Sequence, residues 1–304
     1  MPRYIGLRIA EMAVVVFGVL TIVFIAMRLS GDPVALLLPQ DATAADREIL
    51  RRELGLTAPL PIQYAIFLQK VAVLDFGQSY RYQQPAMKVV LDALPTTLQL
   101  TVAALVVALL IAFPAGILSA VKRDTWVDAA AMGLSLIGQA MPVFWLGLLL
   151  ILLFSVQLRW LPTGGWGTPA TVVMPAVALG AYSSARLSRL IRSGMLEVLS
   201  EDYIRTAYAK GLAAGRVLTR HALRNALIPV VTVVGLEVGV LIGGAVITET
   251  IFSIPGMGRL AVASVLARDY PVVQAAVFCG AIVIALIALL VDVAYVRIDP
   301  RIKL

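Results

Sequence analysis

A chain of 304 residues that is 60% hydrophobic, with a mean hydropathy of +0.92, is well above the apolar share of soluble domains, and an ordinary soluble fold is excluded. Its 25 Lys and Arg against 18 Asp and Glu give a net charge of +7, but these charges collect between apolar runs rather than forming a nucleic-acid surface. One cysteine, Cys279, rules out a disulfide framework, and one histidine, His221, with no second imidazole or thiol beside it, leaves no metal set.

Arg3 and Arg8 precede an apolar run that is long enough to span and is not followed by an A-x-A cleavage site, so the N-terminus reads as a membrane helix and not as a cleaved signal. Six such segments follow one another: Ile9 to Leu29, Thr96 to Val121, Ala129 to Val156, Thr171 to Arg192, Ala226 to Ile251 and Val272 to Val296. Runs this continuous satisfy their backbone in lipid only as helices, which predicts an all-α integral membrane protein with six transmembrane helices. The fourth ends in Arg186, Arg189 and Arg192, read as the helix emerging from the membrane. Fifteen of the 25 basic residues fall on the side that holds both termini and the segment from Arg186 to Arg224, which makes that side cytoplasmic. The chain thus divides into a cytoplasmic N-terminus and first helix (1–29), an external cap (30–93), a five-helix core (94–296) that includes a cytoplasmic loop (193–225), and a cytoplasmic tail (297–304).

The external loop from Ser30 to Ala93 is too long for a plain connection. Thr43 with Asp46 forms a capping box, Gly55 stops the helix it opens, and Pro59 and Pro61 start another over Ile62 to Leu74. Pro114, Pro142, Pro175 and Pro229 fall within expected spans and bend them.

The stretch from Ser200 to Val231 carries eight acidic, basic or imidazole side chains between two apolar runs. Residues 200–210 predict a short helix with Ser200 as cap, Glu201 and Asp202 at its positive end and Lys210 at its negative end; Gly211 closes it in the left-handed conformation. A second helix over 213–225 places Arg216, Arg220 and Arg224 on one face.

In the fifth span Gly235, Gly239 and Gly243 recur every four residues as a helix-packing stripe. Glu237 faces away from that stripe, and a carboxylate near mid-membrane needs either a water-filled path or a partner. Both readings stand; with Gln139 and Met141 it forms the candidate translocation path.

The run DYIRTAYAKG, with A-x-x-x-G at Ala207 and Gly211, is followed by RHALRNALIP. Together with GDP at Gly31 to Pro33, DFGQSY at Asp75 to Tyr80, LPTTLQLT at Leu94 to Thr101 and ETIFSIPGMGRL at Glu249 to Leu260, it resembles ABC-importer permeases of the dipeptide, oligopeptide and nickel branch. Where the general permease pattern has Glu-Ala-Ala, this chain has Arg205-Thr206-Ala207, which fits the peptide branch and argues against sugar or phosphate importers. The resemblance implies a coupling helix that docks on an ATPase subunit through Glu201, Asp202, Tyr203, Arg205, Ala207, Lys210 and Gly211. It also implies a second, similar permease, two ATPase subunits that hold ATP and magnesium, a periplasmic or lipid-anchored binding protein, and a bacterial or archaeal cytoplasmic membrane.

No phosphate-cradling G-x-x-x-x-G-K-[S/T] occurs, so this chain is expected to bind no nucleotide and catalyse nothing itself. The rival readings are an ion-driven secondary transporter and a membrane-embedded enzyme. The first lacks visible inverted repeats and the second lacks a nucleophile-base pair. Peptide is the first expectation for cargo, with nickel, glutathione or a sugar as alternatives.

Overall fold

The computed structural model describes residues 2–29, 34, 38, 42–53 and 55–298; the Gly31-Asp32-Pro33 run and the tail beyond 298 lie outside the described residues. Apart from one isolated bridge between Gln78 and Pro85, the described elements are helical. In order they are α1 (Pro2–Leu29), α2 (Ala44–Glu53), α3 (Leu60–Ala72), α4 (Ala86–Val121), α5 (Trp126–Ala140) and α6 (Val143–Leu150), which continues into a π-helical stretch, Ile151–Gln157. Next come α7 (Pro169–Leu199), α8 (Asp202–Ala209) and α9 (Ala214–Arg216), the last joined through π-helical Val217–Ala222 to α10 (Leu223–Ala226). The chain finishes with α11 (Ile228–Ile251), α12 (Met257–Leu266) and α13 (Tyr270–Ile298).

Four of these are apolar and long enough to cross a bilayer core of about 30 Å: Gly6–Leu29, Ala86–Val121, Ile228–Ile251 and Tyr270–Val293. The expected third span differs. Instead of one helix over Ala129 to Val156 there are two, bent by 101° between Ala140 and Val143. Pro142 has no N–H to continue the ladder, and it holds Met141 extended at φ −81°, ψ 128°. Pro114 and Pro175 lie inside the unbroken α4 and α7, whereas Pro229 sits in the first turn of α11, where a missing N–H costs nothing. The expected fourth span is a helix of 31 residues, α7, but its three arginines leave only its N-terminal part apolar.

The chain forms two compact units, residues 1–96 with 255–285 and residues 97–254 with 286–304. In the first, the capping box is as expected. Thr43 Oγ1 donates to Asp46 at 2.7 Å and accepts from the Asp46 N–H at 3.2 Å, and the Thr43 hydroxyl holds the Asp46 carboxyl below its ordinary pKa. Gly55, at φ +68°, ends α2 in the left-handed region. Phe24 stacks on Phe67 at 5.4 Å, and Phe76 packs against Phe278 at 5.3 Å, around a core that includes Cys279. The loop of the DFGQSY motif is gathered by Asp269, which is fully buried. Asp269 accepts from Ser79 Oγ at 2.5 Å and from the N–H groups of Tyr80 and Arg81 at 3.2 and 3.3 Å.

In the second unit α7 lies against α5, α6 and α11. Close approach is made possible by glycine: a Cβ on Gly180 would sit 2.4 Å from the Ala104 carbonyl oxygen of α4, and one on Gly116 would sit 2.7 Å from that of Ser188. Two motif segments also meet here, where Thr97 Oγ1 donates to the buried Glu249 at 2.6 Å.

Candidate functional site

The turn that the sequence singled out is built from its buried side outward. In α8 only Ile204 and Ala207, three residues apart, are buried, and they join a cluster with Leu187, Ile191 and Met195 of α7 and Val217, Ala222 and Ala226 beyond. Glu201, Asp202, Tyr203, Arg205, Lys210 and Gly211 are exposed. Ala207 is the exception among the seven expected docking residues: at 6% exposure it anchors the helix from within. Tyr208, which the sequence reading passed over, is exposed at 46%.

Gly211 adopts φ +79°, and its N–H reaches the Tyr208 carbonyl at 2.9 Å, which is the left-handed stop expected of it. Ser200 does not cap α8. Its hydroxyl donates to the Glu197 carbonyl at 2.7 Å, closing α7 instead, and Glu201 holds the N-cap position with no side-chain bond. The second helix contains a π-helical segment, Val217–Ala222, and Arg216, Arg220 and Arg224 remain exposed along it. Tyr203 ties the two helices together by accepting from Asn225 Nδ2 at 2.7 Å.

Deeper in the same unit lies Glu237, fully buried. Arg186 Nη1 donates to its Oε1 at 2.9 Å and Ser183 Oγ to its Oε2 at 2.6 Å, so the carboxylate is paired. The pair ties α7 to α11, a partner that the reading of Arg186 as one of three arginines at an emerging helix end did not supply. Glu237 is nine residues into α11, about 14 Å along it at 1.5 Å per residue, and the ion pair brings Arg186 to the same depth. An unpaired arginine at the centre of a membrane helix costs about 2.5–3.5 kcal/mol on insertion scales, which is why a partner was to be expected. A signal existed: Glu237 needs a cation, and Arg186 is the arginine furthest inside its expected span.

A second ion pair was missed altogether. Asp128 on α5 accepts from Arg192 Nε at 2.9 Å and Nη2 at 2.7 Å, from the Ser119 hydroxyl, and from the Asp124 N–H at 3.1 Å. The fork-to-fork geometry holds α7 to α5 while Glu237 holds it to α11. Gln139 and Met141 are half-buried at the bend between α5 and α6, and Gln139 makes no hydrogen bond to Glu237.

Of the glycine stripe, Gly235 faces Val291, whose side chain lies 2.0 Å from where a Cβ would be, whereas Gly243 meets nothing within 4 Å. Gly239 is half-buried between them, and Gly244 is the glycine set against Leu179.

Residues 112–304 match the family described as binding-protein-dependent transport system inner membrane component, and residues 1–101 match its N-terminal membrane component. The chain is 38% identical to the dipeptide transport system permease protein DppB of Alkalihalophilus pseudofirmus, over all of both chains. It is 40% identical to the glutathione transport system permease protein GsiC of Escherichia coli K12, over 100% of this chain and 99% of that one. Among solved structures, an inward-facing MetNI methionine ABC transporter shares the fold at a TM-score of 0.58 and 16% identity, covering 70% of this chain and 97% of that one. The chain belongs to the binding-protein-dependent transport inner membrane components and is a multi-pass ABC-importer permease of the dipeptide and oligopeptide branch.

Proposed function

We propose that this permease moves peptides, di- or oligopeptides first, into the cytoplasm by alternating access driven by two separate ATPase subunits that hold ATP and magnesium. Six membrane crossings, with α7 as one of them and both termini cytoplasmic, would put α8 on the ATPase side and the 30–93 cap outside, towards a periplasmic or lipid-anchored binding protein. A second, similar permease completes the pathway, with the open Gly243 end of the glycine stripe available for its packing and Glu237, Gln139 and Met141 beside the path.

The observation that carries this reading is the form of α8. It is a short helix with its inner stripe, Ile204 and Ala207, sunk in the bundle, and with Glu201, Asp202, Tyr203, Arg205, Lys210 and Gly211 turned outward. Aromatic and arginine side chains carry most of the energy in such interfaces, which favours Tyr203 and Arg205. In a reconstituted complex, truncating both to alanine should abolish ATP hydrolysis stimulated by the loaded binding protein while the permease remains inserted; full coupling in that variant refutes the docking assignment. The GsiC relatives make glutathione, itself a peptide, the second candidate. Uptake of labelled dipeptide and labelled glutathione into the same vesicles decides between them.

A further inference from the structure

The ion pair at Glu237 is lopsided. Glu237 is fully buried, but the Arg186 side chain is 58% exposed. Only one guanidinium nitrogen, Nη1, bonds to Glu237, and Arg186 makes no other hydrogen bond among the described residues. A guanidinium offers five N–H donors in a planar fork, so one edge stays open. Tyr182, one turn before Arg186 on α7, is 41% exposed and extends the same polar face, whereas Ser183, Ser184, Ala185 and Leu187 between and beyond them are buried.

This face cannot rest on lipid. Arg186 lies alongside the middle of α11, where a lipid-exposed cation is strongly disfavoured and such residues turn to a water-filled cavity or a partner. We infer that Arg186 is a solute-binding residue: the open edge of its guanidinium receives a carboxylate of the transported molecule as it passes mid-membrane, with Tyr182 beside it. The inference rests on the importer reading above, because that reading supplies a solute with a carboxylate, which peptides and glutathione both have.

The arrangement suits transient binding. A planar guanidinium matches a carboxylate through two parallel N–H bonds. Glu237 holds Arg186 in place and also offsets its charge, so an arriving carboxylate meets a cation that is already part-neutralised. A path needs a site strong enough to admit the solute and weak enough to release it. A lone arginine at this depth would hold an anion too well.

The test is Tyr182→Cys in the assembled transporter in vesicles, with Cys279→Ala removing the buried native thiol. If Tyr182 and Arg186 line an aqueous path, the introduced thiol reacts with both a sulfonate-bearing and an ammonium-bearing methanethiosulfonate, and its preference for the sulfonate, measured relative to a free thiol in solution, is at least about tenfold, a bias of the size that a local charge produces. The paired substitution Arg186→Gln with Glu237→Gln, which removes both charges without stranding either, abolishes the preference, and Arg186→Lys keeps it. In the same vesicles the paired variant lowers dipeptide uptake at saturating loaded binding protein about tenfold, and the concentration of binding protein giving half-maximal uptake is unchanged. A thiol that is unreactive in every nucleotide state, because the second permease or lipid covers it, overturns the inference, and so does a rate ratio equal to that of a free thiol. Failure of the wild-type vesicles to take up solute with ATP overturns the importer reading instead, whichever way the thiol reacts.

Discussion

Two glycines inside long helices, Gly180 and Gly243, make opposite predictions for the same substitution. A Cβ on Gly180 would meet the Ala104 carbonyl oxygen at 2.4 Å and the Ala108 nitrogen at 3.2 Å, all backbone, and backbone cannot rotate out of the way. To restore ordinary contact near 3.4 Å, α7 must withdraw from α4 by about 1 Å, and Leu179 and Met174, both nearly fully buried, are displaced with it. Overpacking of this kind costs about 3 kcal/mol at the upper end of its usual range, offset by about 1 kcal/mol because alanine favours a helix interior over glycine. Gly180→Ala should therefore destabilise by about 2 kcal/mol. Gly243→Ala, with nothing within 4 Å, should keep the helix gain of up to about 1 kcal/mol. The difference, about 3 kcal/mol, corresponds to a gap in melting temperature of about 6–12 °C for a domain of this size. Thermal unfolding of the two purified variants, followed by size-exclusion fluorescence, measures it directly. Melting temperatures within about 2 °C of each other would refute the claim that α4 and α7 touch backbone to backbone at Gly180. Should Gly243→Ala be harmless in the isolated chain but harmful in the assembled transporter, the open Gly243 end of the stripe meets the second permease.

Asp128→Ala leaves Arg192 with only the Ser119 hydroxyl to donate to and should lower the melting temperature; Arg192→Ala added to it should lower it little further, and strictly additive losses would show that the two do not act as a pair. Gly211 holds φ +79° with open space around it, so strain and not bulk limits what can replace it. Gly211→Val should therefore weaken binding-protein-stimulated ATP hydrolysis more than Gly211→Asn, and equal activities would count against the left-handed turn. Asp269→Asn loosens the loop that Ser79, Tyr80 and Arg81 anchor to the carboxylate, and limited proteolysis should cut near Arg81 faster than in the wild type; unchanged cleavage would mean the clamp does not hold the loop.

The contrast between α8 and Arg186 shows how far the residues alone could be read. Helix starts and stops are local: Thr43 with Asp46 and the left-handed glycines 55 and 211 are written within a few residues of where they act, and the apolar runs declare a membrane helix without reference to anything else, whereas the burial of Ala207, read as a docking residue, was not legible. The motifs DFGQSY, LPTTLQLT and ETIFSIPGMGRL were enough to place the family. Ser200 was misread because a serine between two helices can end one as well as begin the other, and only backbone geometry chooses.

What periodicity cannot carry is the choice of partner between helices. Arg186 reads as a charge leaving the membrane until Glu237, 51 residues away, holds it at mid-helix, and Asp128 has no visible role until Arg192, 64 residues on, closes around it. The angle at Met141 and Pro142, and the tight contact at Gly180 beside the open space at Gly243, are likewise decided by which helix lies opposite. Class, helices, caps and branch were set by the order of residues, because each rests on interactions within a turn or two of the chain. The ion pairs and close contacts were set by the folded bundle, because a buried charge or a missing side chain has no preferred partner until packing supplies one.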